Sequence, residues 1–434
     1  MKSLRALTVS SASALVLVLT GATVSACSSK DGPPASGSSG SSGGGLLDAS
    51  NDVVVPADGG KEATTSDGGS ALPLGDVPTV DEPDVPCVVS NGTKTELFAK
   101  SATAFGGPAV TRLQSLGARR FAAGSSTQGF VTFDAAGTTP KFFGVSLGST
   151  ETVFSSEGTT IGAFALSTGK IDYQRHDDQG VASGAPVSVV SGLAGGPSRS
   201  WVASGGGGSL VVWPIGSTLF AAGISAAGAL VGPPFTLATN VDNARVAMAY
   251  TGDKFAIAYS SAAGVSSVAR FVVATGAGVV GTPVMIGTAD AIEPVAITPT
   301  SAGFLLVVDA GGDEHVYTVP LDATGKRSGT AHRLLGGDLP FGLASHDNDV
   351  ALVVLTNDIK TGGNEGPRAP QFRPLDLTGK PTGPWVCLDG RIATSLYQDM
   401  SIMAEPGGGY AVVYKSPTDT TVLARVDKLG TSAP

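Results

Sequence analysis

From residue 85 onward the 434-residue sequence predicts an all-β fold, a closed ring of four-stranded units, and three observations lead there. Gly (61) and Pro (27) take about one position in five, which disfavours long helices. A turn recurs as "FDAAGTTP" (133–140), "HDDQGVASGAP" (176–186), "ISAAGALVGPP" (224–234), "VVATGAGVVGTP" (272–283), "PLDATGKRSGTA" (320–331), "PLDLTGKPTGP" (374–384) and "RVDKLGTSAP" (425–434). Its shared glycine falls at Gly137, Gly180, Gly228, Gly276, Gly325, Gly379 and Gly430, in steps of 43, 48, 48, 49, 54 and 51. Each unit also holds a continuous apolar run, such as "FAIAY" (255–259), "FLLVV" (304–308) or "VALVV" (350–354). A run without alternation suits a strand buried on both faces. Four-stranded repeats of this length are the blades of a β-propeller, and seven are counted.

The first element is residues 1–26, read as a signal peptide. Lys2 and Arg5 form a basic start, and "ALVLVL" (14–19) is the heart of an apolar segment too short to span a bilayer. Val24-Ser25-Ala26-Cys27 follows. This stretch resembles a bacterial lipobox, with Val24 where Leu is commoner. The resemblance covers the first 27 residues. It implies that Cys27 is acylated, palmitate included, and becomes the first residue of a mature lipoprotein. Ser28 after the cysteine implies the outer membrane in similar Gram-negative lipoproteins, with the chain facing the periplasm or the cell surface.

Residues 27–84 are expected to be a disordered tether. Ten acidic residues stand against Lys30 and Lys61, among dense Gly, Ser and Pro. Such a composition cannot offset the entropy of folding. Its reach would be about 40 Å by flexible-chain scaling. The tether takes up most of the chain's net charge of −9, so the domain at 85–434 is close to neutral. No basic stripe is present, and nucleic acid is not an expected partner.

Within the domain each unit reads as an inner strand, the apolar strand, a strand ending at the turn, and a Pro-led outer strand such as "PVSVV" (186–190) or "PVMIG" (283–287). The last unit stops before its outer strand, while a spare copy, "VPCVVSNG" (85–92), stands at the front. That segment is expected to complete the last blade and so remove an open edge. Cys87 and Cys387 form an even pair in an exported chain and are a disulfide candidate. The repeat alignment puts them on outer strands of adjacent blades, which is wide for such a bond. The turns "LDATGK" (321–326) and "LDLTGKPTGPW" (375–385) resemble those of quinoprotein-type propellers, although the regular tryptophan of that family is missing elsewhere. The likeness is one of turn chemistry.

The sequence offers little that reads as catalysis. His176, His315, His332 and His346 lie near turns without metal-ligand spacing, and are expected to be exposed. No nucleophile elbow within the domain and no phosphate loop is found, and neither a metal nor a cofactor is expected. Aligning the units places Arg199, Glu293 and Asp399 at one equivalent position, with Arg245 one residue later, near a channel mouth. Trp201, Asp338 and Tyr397 come from the same loop class. The insertion "NDIKTGGNEGPRAPQ" (357–371), which carries Arg368, should overhang that face. These residues are read either as a binding rim or as a solvated rim paired with itself. The leading expectation is a monomeric envelope lipoprotein whose propeller serves as a binding or scaffold module for a protein or glycan. It resembles, in architecture, propeller lipoproteins that assist envelope assembly. The alternatives are a glycan hydrolase or lyase using Glu293 and Asp399, and a purely structural surface protein.

Overall fold

The computed structural model describes residues 88–98, 112–123, 129–145, 151–193, 197, 199–205, 208–252, 254–263, 266–287, 292–310, 315–336, 339–357, 368–388, 400–415 and 420–431. The signal peptide, the tether, Cys27 and Cys87 lie outside them.

The chain forms seven antiparallel blades in a ring. Blade 1 is β3 (Arg112–Leu116), β4 (Arg119–Ala123), β5 (Gly129–Asp134) and β6 (Lys141–Gly144). Blade 2 is β7 (Glu151–Glu157), β8 (Thr160–Ser167), β9 (Lys170–His176) and β10 (Ala182–Ser191). Blade 3 is β11 (Trp201–Gly205), β12 (Gly208–Ile215), β13 (Thr218–Ser225) and β14 (Phe235–Ala238). Blade 4 is β15 (Val241–Thr251), β16 (Lys254–Ala263), β17 (Ser266–Thr275) and β18 (Gly278–Gly287). Blade 5 is β19 (Ile292–Thr300), β20 (Gly303–Ala310), β21 (His315–Leu321) and β22 (His332–Gly336). Blade 6 is β23 (Leu339–His346), β24 (Asp349–Asn357), β25 (Arg368–Leu375) and β26 (Val386–Cys387). Blade 7 is β27 (Met400–Ala404), β28 (Tyr410–Lys415), β29 (Thr421–Val426) and, from the other end of the chain, β2 (Thr93–Phe98). The seven first strands touch in succession, β3 to β7, β11, β15, β19, β23, β27 and back to β3, and enclose the axis.

The apolar runs have a simple cause. Seven buried clusters fill the seven gaps between blades, and the second strand of each of blades 2 to 7 serves two of them. In β20, Phe304, Leu306 and Val308 face blade 4, whereas Leu305 and Val307 face blade 6. In β16, Phe255, Ile257 and Tyr259 face blade 3, and Ala256 and Ala258 face blade 5. Successive side chains point to opposite faces of a strand, so a strand with two dry faces must be apolar throughout. Each such Leu, Val or Phe contributes about 1.5–3 kcal/mol by leaving water.

The repeated turn has two jobs. Asp134, Asp177, Asp322, Asp376 and Asp427 each accept, through Oδ1, the backbone N–H groups two and four residues on, at 2.8–3.1 Å. The glycine three residues after the Asp, or after Ser225 in blade 3, has φ between 75° and 85°. That glycine also abuts the preceding blade. A Cβ on Gly325 would lie 1.9 Å from Phe271 Cδ1, and one on Gly430 would lie 2.4 Å from Phe372 Cδ1. Gly379 meets Thr318, whose Oγ1 donates to the Gly379 carbonyl at 2.9 Å. Gly228 stands over Tyr173, and Gly137 reaches Leu423 across the closing seam. In these five cases the surface met is the residue four before the turn-opening position of the previous blade. Gly180 instead meets Phe143. Blade 4 departs from the pattern: Thr275 pairs directly with Gly278, so Gly276 belongs to a two-residue hairpin. There the backbone of Gly276 packs against Gly223 of blade 3.

Closure differs from the expected scheme. The segment 85–92 does not complete blade 7. Residues Val88–Val89 form β1, which adds to blade 6 in parallel with β26, Val88 opposite Val386 and Val89 opposite Cys387. The chain then crosses, and β2 completes blade 7 against β29. The turn chemistry of "VPCVV" resembles a Pro-led strand, but "TKTELF" has the length to pair along β29. Cys387 is disulfide-bonded. β1 and β26 therefore belong to one blade, with Val89 opposite Cys387, rather than to adjacent blades.

Candidate functional site

The first strands converge on a cavity of about 500 Å³ at the axis, lined by residues from all seven blades. Its mouth is the end at which the first strands begin. Glu151 opens β7, Arg199 and Ser200 precede β11, and Arg245 lies in β15. Further along the same strands the wall turns apolar, through Val153, Val202, Val246, Met248, Val295, Leu343 and Ile402. Three of these strands are irregular near the mouth, with register shifts at Val241/Val246, Pro294/Ala296 and Pro340/Gly342. Such bulges re-aim side chains beside binding sites. The shift in β15 accounts for Arg245 standing one residue out of step with Arg199 and Glu293.

The predicted rim residues divide three ways. Arg199, Trp201 and Arg245 line the cavity. Glu293 joins them through Arg245, whose Nε lies 2.7 Å from Glu293 Oε2 and whose Nη1 lies 3.7 Å from Asp309 Oδ2. This bond ties blade 4 to blade 5. With Arg245 46% and Glu293 28% exposed, solvent screens it, and it contributes well under about 1 kcal/mol. Arg368 opens β25 at the same end of its blade, opposite Asn357. Asp338, Tyr397 and Asp399 lie outside the described residues, as do residues 358–367 of the insertion. The carboxylate pair proposed for glycan chemistry is therefore represented by Glu293 alone, and that group is engaged with Arg245.

Arg199 is exposed and makes no hydrogen bond or ion pair among the described residues. Glu151 faces it. Burial raises the Glu151 pKa above the usual carboxylate range, and the charge of Arg199 opposes that rise. Sequence alignment missed Glu151. It stands ten residues before Ile161, as Arg245 does before Phe255, and extending the alignment to "IGAFAL" of β8 would have found it.

Two buried polar clusters lie at the opposite end of the first strands. Glu157 Oε2 accepts the Tyr173 hydroxyl at 2.8 Å and Oε1 accepts that of Ser209 at 2.6 Å, which joins blades 2 and 3. Burial raises the Glu157 pKa, and those hydrogen bonds oppose it. Glu405, only 3% exposed, takes Arg425 at 2.6 and 2.9 Å through Oε2, while Arg120 of blade 1 lies 3.8 Å from Oε1. This cluster bridges the seam between the last and first blades. Removing one partner of such a buried set typically costs about 3–5 kcal/mol. Their place between packed blades makes both clusters structural joints.

The histidines are not alike. His176 is 6% exposed, contrary to the expectation of a solvated turn residue, and its ring meets Phe130 of blade 1 edge-on at 5.8 Å. Among the described residues no group of three or more His, Cys, Asp or Glu side chains is placed to hold a metal ion.

No protein-family model matches the chain. No curated protein matches it either. Solved structures do match. A chain from the mitotic checkpoint complex is 12% identical, with 81% of this chain and 97% of that one covered, at a TM-score of 0.51. The structure of U3-55K is 9% identical over 77% of this chain and 98% of that one, at 0.49. The PQQ-bound aldose sugar dehydrogenase of Streptomyces coelicolor is 15% identical over 65% of this chain and 97% of that one, at 0.40. At that identity the likeness to the mitotic checkpoint complex chain is one of fold alone.

Proposed function

We propose that this chain is a lipid-anchored envelope protein whose propeller is a binding or scaffold module, held off an outer membrane by its N-terminal tether and taking a protein or glycan partner at the channel mouth. The observation that carries the reading is the mouth itself. Four successive blades bring Glu151, Arg199, Trp201, Arg245 and, through its bond to Arg245, Glu293 to one rim, and Arg199 makes no hydrogen bond or ion pair among the described residues. A charged, partly aromatic rim around a concave site is what a recognition surface requires. The anchor rests on Val24-Ser25-Ala26-Cys27 alone. Two or three acyl chains hold a membrane far better than one. Cys27→Ser should move the intact propeller from the membrane to the soluble fraction, and retention in the membrane would end the lipoprotein reading. Crosslinking in whole cells followed by pull-down should then recover a partner with the wild type and lose it with the Arg199→Ala, Trp201→Ala double variant. The Cys87–Cys387 bond belongs to the same proposal, and mass mapping without reductant should find the two peptides joined.

A second reading, cleavage of glycans by channel carboxylates, is favoured by one observation. Glu151 holds its proton above the usual range, as a general acid must. Turnover of a glycan substrate that survives Glu151→Gln unchanged would remove it.

A further inference from the structure

The charge at the mouth and the walls below it differ in kind, and together they describe a ligand. Arg245 is committed to Glu293 and Asp309, which leaves Arg199 as the cation at the mouth without a partner among the described residues. Below it, Val153, Val246, Met248, Val295, Leu343 and Ile402 add apolar surface to a wall that also carries polar surface. Gln114 Oε1 accepts the Ser156 N–H at 2.9 Å, and Ser401 Oγ accepts the Leu113 N–H at 2.9 Å. A ligand with one anionic end and an apolar body would use both the cation and the apolar part of that wall.

We propose that the axial cavity binds a small monocarboxylate with an aliphatic or aromatic body, its carboxylate against the Arg199 guanidinium and its body among the apolar side chains of the first strands. The site shares Arg199 with the rim proposed for a partner and in that respect rests on the same reading of the mouth, but it does not depend on the membrane anchor. A guanidinium fork suits a carboxylate, because two parallel N–H groups can donate to its two oxygens. Glu151 competes with the ligand for Arg199, because its ionised form offers the same chemistry from within the chain. The cavity, at about 500 Å³, is within the range of pockets for ligands of this size.

The test is calorimetric titration of the full-length chain carrying Cys27→Ser with three matched probes at pH 7.5: 4-phenylbutyrate, 4-phenylbutanol and 4-phenylbutylamine. The acid should bind saturably at one site per chain, the alcohol at least tenfold more weakly, and the amine not at all. Arg199→Gln should weaken the acid at least tenfold, and Glu151→Gln should tighten it. No saturable binding of the acid, equal binding of the three probes, or unaltered binding in Arg199→Gln would each overturn the proposal.

Discussion

Gly325 answers two demands at once. Its φ of 84° disfavours any side chain, and the space where a Cβ would go is filled by Phe271 of the preceding blade. Gly184 has a similar φ of 76° and nothing within 4 Å. The two glycines therefore separate backbone strain from packing. Gly184→Ala should cost only the left-handed penalty of about 1–2 kcal/mol. Gly325→Ala should cost that plus about 1–3 kcal/mol of overpacking. Urea unfolding of the two variants measures the difference, and equal losses would refute the docking role. His176 makes a second residue-scale case. Burial lowers its pKa, so the fold holds it neutral while the unfolded chain takes up a proton near pH 6.5. Its contribution is complete above that pH and is lost as pH falls below it toward the folded value. Melting curves at pH 7.5 and 5.5 should show a larger drop for the wild type than for His176→Phe.

Among the elements, the second strands of blades 3 to 7 were the plainest in the sequence, because two dry faces call for a continuous apolar run. The turns were equally plain, since the Asp that caps them and the Gly that follows repeat with a near-constant step. Two elements were misread for physical reasons. Gly276 sits in a glycine-rich stretch that matches the turn by composition, but Thr275 and Gly278 close a shorter hairpin. The segment 85–92 has the residues of an outer strand, yet composition does not choose a neighbour, and it paired with β26 rather than β29. The rim was legible where strands align simply, as at Arg199 and Glu293. Glu151 was not, because Gly162 near the start of β8 breaks its apolar run. The closing element carries its own expectation. A chain begun at Thr93 keeps β2 and should melt cooperatively, whereas one begun at Lys100 exposes the edge of β29 and should aggregate or melt well below it. Calorimetry of both, with similar melting as the adverse result, decides the matter.

At the scale of the whole molecule, the ring joins its ends through more than one kind of contact. Gly137 docks on Leu423, Glu405 gathers Arg425 and Arg120, and β2 fills blade 7. The seam thus repeats the joint used elsewhere and adds a charge cluster to it. The seven-part axial cavity exists only while that seam holds, so ligand affinity and seam stability should fall together in Glu405→Gln, in parallel titration and melting experiments. The added strand β1 has a mechanical meaning as well. A line attached ahead of residue 88 does not pull on the strand that closes the ring. It loads β1 against β26 along the strand direction, one blade away, where a parallel pair resists in shear and Cys387 supplies a covalent stop. If the chain ahead of residue 88 serves as the proposed tether, tension on it would be borne by blade 6 while blade 7 stays shut.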